Sequence, residues 1–384
     1  MSRRGWWAAA AGCLLLATPF AASAQSWSAQ VRPRFETRII DGDADSFTAM
    51  RTRVGLEWAF DLPGTLFVQL QDVRRWGTAP GDGSADLFDL HQGWVEFGHR
   101  GVSPVWIRAG RQEMNFGTRR LIAAPPWSHV SRSFDAGRAA LRVSERTTFD
   151  VFFAQIAEER SFSGLWLETS NERMERGAAY ALLQNDGASD GRRQTTLGAE
   201  ALVRFGPARL QLEGALQTTE GVSDGAWFGA VRYTVPLARE GGLVSAGVDA
   251  LSGAAPDADR RPFDRLYGLA HTYYGYADIF SDLDGSTGGR GLVDWIARGV
   301  WPLPDGWSLQ LDLHHFRVAE GADLESAHLG NELDLSTRWQ NGEGVSVLGG
   351  LSLFDDGEGR AELGQPDLGQ IFGYLQVDVA LQGR

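Results

Sequence analysis

The sequence predicts an all-β protein: a single closed antiparallel transmembrane β-barrel of about 18 strands, with short turns at one end and long loops at the other. Three observations support this prediction. Apolar and polar residues alternate in segments of about ten residues, the length that crosses a bilayer at a tilt. The connections between these segments are alternately short and long. After the N-terminal leader there is no run of about 18 apolar residues, so no transmembrane helix is expected.

Each predicted strand has one apolar and one polar face. Alternation alone also suits a soluble β-sandwich or propeller, but the length of the segments and the charge on nearly every polar face favour the barrel. A count of 16 strands also fits the pattern. The predicted strands are 28–40, 49–60, 65–76, 87–97, 105–111, 134–143, 147–155, 161–169, 176–184, 194–204, 208–217, 225–235, 243–251, 291–301, 306–316, 328–338, 344–353 and 370–381.

The lengths of the connections predict the orientation of the barrel. Even-numbered connections are tight, as in "DLPG" at 61–64 and "PLPDG" at 302–306. Odd-numbered connections are mostly longer and reach about 39 residues at 252–290. Short turns on one side and long loops on the other are typical of an outer-membrane barrel whose termini both lie in the periplasm.

The first 24 residues, "MSRRGWWAAAAGCLLLATPFAASA", predict a Sec-type signal peptide that is cleaved between Ala24 and Gln25. The apolar run is short for a transmembrane anchor. A lipoprotein site at Cys13 is the weaker interpretation because the apolar run continues beyond that residue. We therefore expect residues 25–384 to form one barrel domain in the outer membrane of a Gram-negative bacterium.

The composition limits the possible chemistry. Cys13 is the single cysteine, so the mature chain has no disulfide, zinc-thiolate site or catalytic cysteine. All 36 basic residues are arginine, and the formal net charge is −13. Residues 27–146 hold 16 arginines and 14 acidic residues, whereas residues 147–384 hold 18 and 35. Positive charge is therefore concentrated in the first third of the chain.

Strand parity predicts which arginines face the lumen. In the first strand Arg32 and Arg34 alternate with Val31 and Phe35. An arginine at the bilayer midplane costs about 2–4 kcal/mol, so the apolar side must face lipid. Parity turns Arg74 outward unless a β-bulge intervenes, although either orientation is tolerated near the outer rim. The same alternation predicts inward positions for Arg38, Arg51, Arg53, Arg108, Arg138 and Arg142.

Several segments resemble, in order, the alginate-export family of outer-membrane barrels. They are "RTRVGLEW" (51–58), "QLQDVRRWG" (69–77), "DLHQGWVEF" (89–97), "IRAGRQEMNFGTRRLI" (107–122) and "WSHVSRSFDAGR" (127–138). The later segments "SFSGLWLET", "TTLGAEAL" and "HTYYGYADIF" are also similar. The resemblance implies an 18-stranded barrel that conducts an anionic polysaccharide outward through an arginine-rich lumen. The chain departs from the usual barrel pattern because it ends in "LQVDVALQGR" and not in an aromatic residue.

The loop 112–133 is predicted to fold into the barrel as a constriction. It would bring Arg119, Arg120 and Arg132 toward the barrel axis, with Trp127 as a surface for sugar rings. Guanidinium groups suit this task because they stay charged and bind carboxylates through a planar fork of donors. The alternative is an exposed outer loop that binds lipopolysaccharide phosphates.

The candidate residues of the solute path come from these strands and this loop. Each arginine could instead pair with an acidic residue on a neighbouring strand, such as Glu36, Glu57 or Glu96, and brace the wall. The candidates are Arg32, Arg34, Arg51, Arg53, Arg74, Arg108, Arg111, Arg119, Arg120, Trp127, Arg132, Asp135, Arg138 and Arg142.

No motif predicts a catalytic, cofactor or metal site. His314 and His315 are adjacent on a strand, so they face opposite sides and cannot chelate one ion together. The acidic stretches 41–47 and 281–285 could ligate calcium, but solvated outer loops explain them better. We therefore expect no cofactor, no metal, no nucleic-acid partner and no enzyme activity, with an outer-membrane hydrolase as the discarded class.

Two channel functions remain open. The first is export of an anionic, alginate-like polysaccharide, with outer-membrane lipid, lipopolysaccharide and periplasmic export proteins as expected partners. The second is a selective porin for the uptake of acidic sugars or small organic anions. Both need the same arginines, so the sequence does not separate them.

Overall fold

The barrel is closed. The computed structural model describes residues 24–61, 63–77, 86–187, 192–237, 241–255, 260–366 and 369–383. Its 18 strands form one sheet in which each strand pairs antiparallel with its neighbours in sequence, and the first strand pairs with the last. The predicted fold class and strand count are confirmed. The predicted leader lies outside the described residues, except for Ala24.

The observed strands agree closely with the predicted ones. Two short helices, α1 (Leu283–Thr287) and α2 (Glu358–Glu362), lie in outer connections. Among the described residues, no helix has the length and apolar composition needed to span a membrane. The strands are β1 (Ala24–Ile40), β2 (Asp43–Ala59), β3 (Gly64–Trp76), β4 (Asp86–Phe97), β5 (Val105–Gln112), β6 (Phe134–Ser144), β7 (Thr147–Ala157), β8 (Arg160–Thr169), β9 (Met174–Asp186), β10 (Arg192–Phe205), β11 (Ala208–Thr219), β12 (Ala226–Pro236), β13 (Leu243–Ser252), β14 (Gly291–Pro302), β15 (Trp307–Arg317), β16 (His328–Gln340), β17 (Val345–Asp356) and β18 (Ile371–Gly383).

Strand β2 illustrates how the sequence pattern builds the wall. Ala49 and Arg51 are buried on the lumenal face, whereas Val54 and Leu56 on the other face are 49% and 44% exposed. Outward apolar side chains suit a wall that is surrounded by lipid, because lipid does not compete for hydrogen bonds and does not penalise apolar exposure.

The first outer connection is shorter than the sequence predicts. Only Asp41 and Gly42 join β1 to β2, with φ values of 51° and 86°. Two consecutive residues with positive φ form the tight hairpin turn that matches the twist of paired strands. Asp43 to Phe47 therefore pair with β1. The prediction of an acidic outer loop over 41–47 is wrong for these five positions.

Two long connections fold into the barrel and form its core. In 113–133 and 260–290 the side chains of Phe116, Ile122 and Phe280 are buried. The two connections are joined by backbone hydrogen bonds: Tyr267 N donates to Leu121 O at 2.9 Å, and Ala123 N donates to Tyr267 O at 3.0 Å. We call residues 113–133 and 260–290 the plug. The predicted inward fold of the first loop is present, and the second loop accompanies it.

We call the end of the barrel that carries both termini and the short turns the inner end, and the opposite end the outer end. The plug connections leave the wall at the outer end, after β5 and β13. They therefore reach the middle of the lumen from outside. This arrangement places the candidate functional residues around the plug.

Candidate functional site: the plug and the lumenal wall

Arginines of β1 and β2 hold the plug by its carbonyl oxygens. Arg32 Nη2 donates to Ser128 O at 2.8 Å, and its Nη1 also donates to the plug. Arg34 Nη1 donates to Trp127 O at 2.7 Å. Arg51 Nη1 donates to Ser128 O at 3.2 Å. All three arginines face the lumen, as strand parity predicts, but the plug takes up many of their donors.

The indole of Trp127 is clamped between two groups. The Arg34 guanidinium lies 3.7 Å from the centre of the ring. The imidazole of His271 stacks on the ring at a centroid distance of 3.9 Å and an interplanar angle of 7°. A guanidinium over an indole face is favourable because the ring quadrupole attracts the cation. Trp127 thus joins the wall to both plug segments.

The positive charge of Arg34 is balanced locally. Arg34 Nε donates to Glu36 Oε1 at 2.7 Å, and His129 Nε2 lies 2.9 Å from the same oxygen. Burial lowers the pKa of His129, and the charge of Arg34 lowers it further against the opposing effect of Glu36. His129 is therefore neutral at neutral pH and adds no positive charge to the lumen.

Arg53 contacts the first residue of the plug. Its Nη1 lies 3.3 Å from Glu113 Oε1, and His91 Nε2 lies 2.7 Å from the same oxygen. Burial would raise the pKa of Glu113, but the hydrogen bond with His91 and the charge of Arg53 bring it below its usual value. Glu113 is therefore ionised and neutralises part of the Arg53 charge.

The opposite wall holds the plug through carboxylates. Thr118 N donates to Glu200 Oε2 at 2.9 Å, and Thr118 Oγ1 donates to Glu213 Oε2 at 2.5 Å. Arg120 Nε and Nη2 donate to the two oxygens of Asp249 at 2.9 Å and 3.0 Å. Burial alone would lower the pKa of Arg120, but the nearby carboxylates, Asp249 foremost, raise it. Arg120 is thus a buried structural cation.

Arg108 and Arg138 face the lumen as predicted, but each is paired with an acid of the wall. Arg108 Nη2 lies 2.5 Å from Glu96 Oε2, and Arg138 Nη2 lies 2.8 Å from Asp150 Oδ1. These two arginines therefore follow the alternative interpretation, in which an arginine pairs with an acidic residue and braces the wall.

The inclusion of Arg74 among the solute-path residues is wrong. Gln71 and Val73 are buried on the lumenal face of β3, so Arg74 points the other way and pairs with Asp72 at 2.7 Å. The irregularity in the β3–β4 pairing opposes Gln69 to Gln92 and Leu70 to Leu90. The extra residue therefore lies on β4, and the alternation of β3 continues without interruption.

Arg111 and Asp135 also lie on the outer face of the wall, which is the side that faces away from the lumen. Their sequence neighbours Gln112 and Phe134 are buried on the lumenal side. Arg111 and Asp135 are directly opposite each other on β5 and β6, 3.7 Å apart. Including this pair in the lumen was wrong, because alternation that buries Gln112 must expose Arg111 on the other face.

The remaining candidates differ in whether their guanidinium groups are engaged by other residues. Arg132 Nη1 donates to Ala123 O at 3.2 Å and to Tyr267 O at 2.5 Å, so it fastens the two plug segments together. Arg119 is exposed at the tip of the first segment with a φ of 68°. Arg142 is exposed near the inner end of β6. Within the described parts of the chain, neither Arg119 nor Arg142 has a side-chain ion pair.

Within the described part of the lumen, two cavities are lined in part by plug residues. The outer cavity has a volume of about 340 Å³ and is lined by residues that include Arg160, Arg192, Arg261, Asp264 and Tyr267. The inner cavity has a volume of about 230 Å³ and is lined by residues that include Trp127, His271, Tyr276, Gln310, Arg338 and Tyr374. Each cavity therefore combines arginine with an aromatic surface.

Comparison with known proteins identifies the family. The family model described as alginate export matches residues 20–365. The chain belongs to the alginate export family. The structure is similar to OccAB4 of Acinetobacter baumannii, with 10% identity, a TM-score of 0.68, and coverage of 95% of this chain and 100% of that one. No curated protein sequence matches the chain.

A second solved structure that is similar to this chain is that of OpdK of Pseudomonas aeruginosa. It has 11% identity and a TM-score of 0.69, and the match covers 95% of this chain and 100% of OpdK. A crystal structure of OpdK with vanillate has 12% identity, a TM-score of 0.66 and the same coverage. At these identities the likeness concerns the fold. Family and fold together make the protein an outer-membrane barrel channel.

Apart from Trp127, sequence reasoning missed the residues of the inner cavity. His271 and Tyr276 belong to "HTYYGYADIF", which resembles the family but falls in a loop whose path no strand rule predicts. Arg338 could have been found, because it alternates in phase with Asp334 and Ser336 on a predicted strand. All candidate residues came from the arginine-rich first third of the chain, so none was taken from this strand.

Arg108 and Arg111 lie on opposite faces of β5, and this difference leads to a prediction. Arg108→Ser should leave the Glu96 carboxylate in the lumen without its cation and lower the chloride-to-potassium permeability ratio by about twofold. Arg111→Ser should leave the ratio unchanged because its charge lies on the outer face. Reversal potentials in a salt gradient across a planar bilayer measure both. An equal effect of the two substitutions would contradict the facing of Arg111.

Proposed function

We propose that this alginate export family member is a selective channel for small organic anions. The observation that carries the proposal is the plug, which fills the middle of the lumen between cavities of about 340 Å³ and 230 Å³. Cavities of this size hold a small acid, whereas a polymer chain needs a continuous path past the plug. Selection would then depend on the charged and aromatic groups that line the two cavities.

The inner cavity has the chemistry to bind a planar carboxylate. His271 stacks between Trp127, at 3.9 Å, and Tyr276, at a centroid distance of 4.7 Å. Arg338 borders the same cavity, is exposed, and has no ion-pair partner within the described part of the chain. The free guanidinium of Arg338 would bind the carboxylate of a solute, and the edges of this aromatic stack would contact its ring. OpdK, a structural neighbour, was crystallised with vanillate, which is such a molecule.

The outer cavity would offer arginine donors to an anion that approaches the plug. Its lining includes Arg160, Arg192 and Arg261 together with Asp186 and Asp264. In a narrow, low-dielectric cavity a guanidinium group would bind a carboxylate through its planar fork of donors.

Most of the arginines expected to line the lumen would act indirectly in this proposal. Arg32, Arg34 and Arg51 position the plug and thereby shape the inner cavity. Arg119 and Arg338 are the exposed charges that would meet the solute. No catalytic role is proposed for any of these residues.

Export of an anionic polysaccharide is the second candidate, and family membership favours it. It would require the plug to leave the lumen, since a polymer needs a continuous path. The two candidates therefore differ in whether the plug must move while the solute passes.

Planar-bilayer recordings on the purified channel test the proposal. Vanillate and galacturonate should block the current from one side, whereas oligogalacturonate of ten or more units should not pass. Arg338→Ser should weaken block about 3- to 10-fold, the effect expected of a partly solvated charge pair. Arg317→Ser, an exposed arginine on the outer face, is the matched control and should leave block unchanged. A cation-selective pore, or passage of the oligomer with the plug intact, would refute the proposal.

A further inference from the structure

Strands β15 and β16 bring three metal-ligating side chains together inside the wall. Asp312, His314 and Asp334 are buried, and one ligand atom of each lies within 4.8 Å of the others. Asp312 and Asp334 are directly opposite each other in the strand pairing. His314 Nε2 lies 3.8 Å from Asp334 Oδ2. Ligand atoms bound to one tetrahedral zinc ion are about 3.3 Å apart, so a small side-chain adjustment brings this set to coordination distance.

The imidazole of His314 is oriented as in metal sites. Its other nitrogen, Nδ1, lies 2.9 Å from Asp294 Oδ2 on β14. A ligating histidine characteristically donates its second N–H to a carboxylate, which fixes the ring and leaves Nε2 as the ligand. Asp294 plays this part for His314, and Nε2 faces the two remaining carboxylates.

Acidic residues outnumber basic ones around this set. The acids Asp294, Asp312, Glu332 and Asp334 are buried. The facing basic residues are Arg298, which binds both oxygens of Asp312 at 2.7 Å and 2.6 Å, and His314. The buried acidic residues therefore outnumber the facing basic residues by two. Nearby Arg120 and Arg232 do not offset this difference, because Asp249 and Glu213 lie beside those arginines.

Further buried oxygens surround the three ligands. Ser352 on β17 is fully buried and interacts with Asp334, which lies opposite it in the strand pairing. The carboxyl groups of Glu332 and Asp334 also interact with each other. A bound cation would therefore lie among oxygen atoms that are shielded from solvent, where acidic groups need a positive partner.

We propose that Asp312, His314 and Asp334 form a binding site for a divalent transition-metal ion of the Zn²⁺ class. One imidazole and two carboxylates are a donor set suited to this class, whereas calcium and magnesium prefer oxygen alone. Asp294 is the positioning residue for His314. The ion reaches the site from the inner cavity, since Gln310 and Ser336 line that cavity and lie two residues from Asp312 and Asp334 on the same strand faces.

The site also anchors the plug. Tyr276 N donates to Asp334 Oδ2 at 3.3 Å, and Ala277 N donates to Glu332 Oε1 at 2.8 Å. An ion that fixes Asp334 therefore also fixes the acceptor that holds the second plug segment. Binding of Zn²⁺ should make this segment more stable.

The test uses the whole purified channel, stripped with a chelator and then equilibrated with Zn²⁺. Metal analysis of wild type should give one Zn²⁺ per chain. His314→Gln and Asp334→Asn should lower the affinity more than about 100-fold, and Asp294→Asn about 10- to 100-fold. His315→Gln, which changes the adjacent outward-facing histidine, is the matched control and should bind like wild type.

A second measurement protects the test against variants that fold poorly. Zn²⁺ should raise the temperature at which the wild-type and His315→Gln barrels lose their compact gel mobility, and it should leave that of His314→Gln unchanged. Absence of Zn²⁺ from wild type at about ten micromolar free metal would overturn the proposal, and so would retention in both His314→Gln and Asp334→Asn. The transport proposal does not depend on this result, because it concerns Arg338 and the two cavities.

Discussion

Replacing Arg120 with methionine should release the plug and increase the conductance of the channel several-fold. The Arg120 guanidinium is 2% exposed, binds both oxygens of Asp249, and lies 3.4 Å from Glu213 Oε2. It also lies 3.9 Å from the ring centre of Tyr273 in the second plug segment. Removing it leaves two buried carboxylates without their cation, at a cost of about 3–5 kcal/mol. Single-channel recording and the thermal loss of gel mobility measure the two effects.

Arg119→Met is the matched control for this experiment. Arg119 is the adjacent residue, but its side chain is exposed and has no ion pair within the described residues. The control should keep wild-type stability and conductance and lower only the preference for anions. Asp249→Asn in the Arg120→Met background should recover part of the stability, because it removes one of the unpaired charges. Equal stability loss in Arg119→Met and Arg120→Met would show that the buried pair does not hold the plug.

Replacing Arg32 and Arg34 together with glutamine should loosen the plug from the opposite side. The two guanidinium groups hold the carbonyl oxygens of Trp127 and Ser128, and Arg34 also stacks on the Trp127 ring. Each hydrogen bond from a charged donor contributes about 1.5–3 kcal/mol. The expected result is a larger current with more frequent open events, and weaker block by small carboxylates because Trp127 no longer borders a closed inner cavity.

Two further variants make this second result interpretable. Arg74→Gln removes an arginine from the outer face, where it pairs with Asp72, and should leave current and block unchanged. Glu36→Gln added to the double substitution removes the acid that Arg34 leaves unpaired, so it separates lost tethering from a stranded charge. If the current of the double variant equals that of wild type, the backbone contacts between the two plug segments are sufficient to hold the plug.

Residues in regular strands were predicted well because their facing depends on a local rule. Alternation places Arg32, Arg34 and Arg51 in the lumen, and the structure agrees. The same rule correctly turns Arg74 outward, and applying it strictly to Arg111 would have done so as well. These errors arose from grouping arginines by their nearness in the sequence. On a strand, adjacent residues lie on opposite sides of the wall.

The sequence by itself determined the barrel and the alternation of its two faces, because period two and the bilayer thickness act on short segments. The choice of 18 strands over 16 came from the closed strand pairing. Only the tertiary structure decided which charges are free. Arg120 meets Asp249, and His314 meets Asp334, across separations in sequence that no spacing rule covers. The plug brings these partners together, and a loop follows no periodic pattern. Its path depends on carbonyl and amide groups finding partners on distant strands.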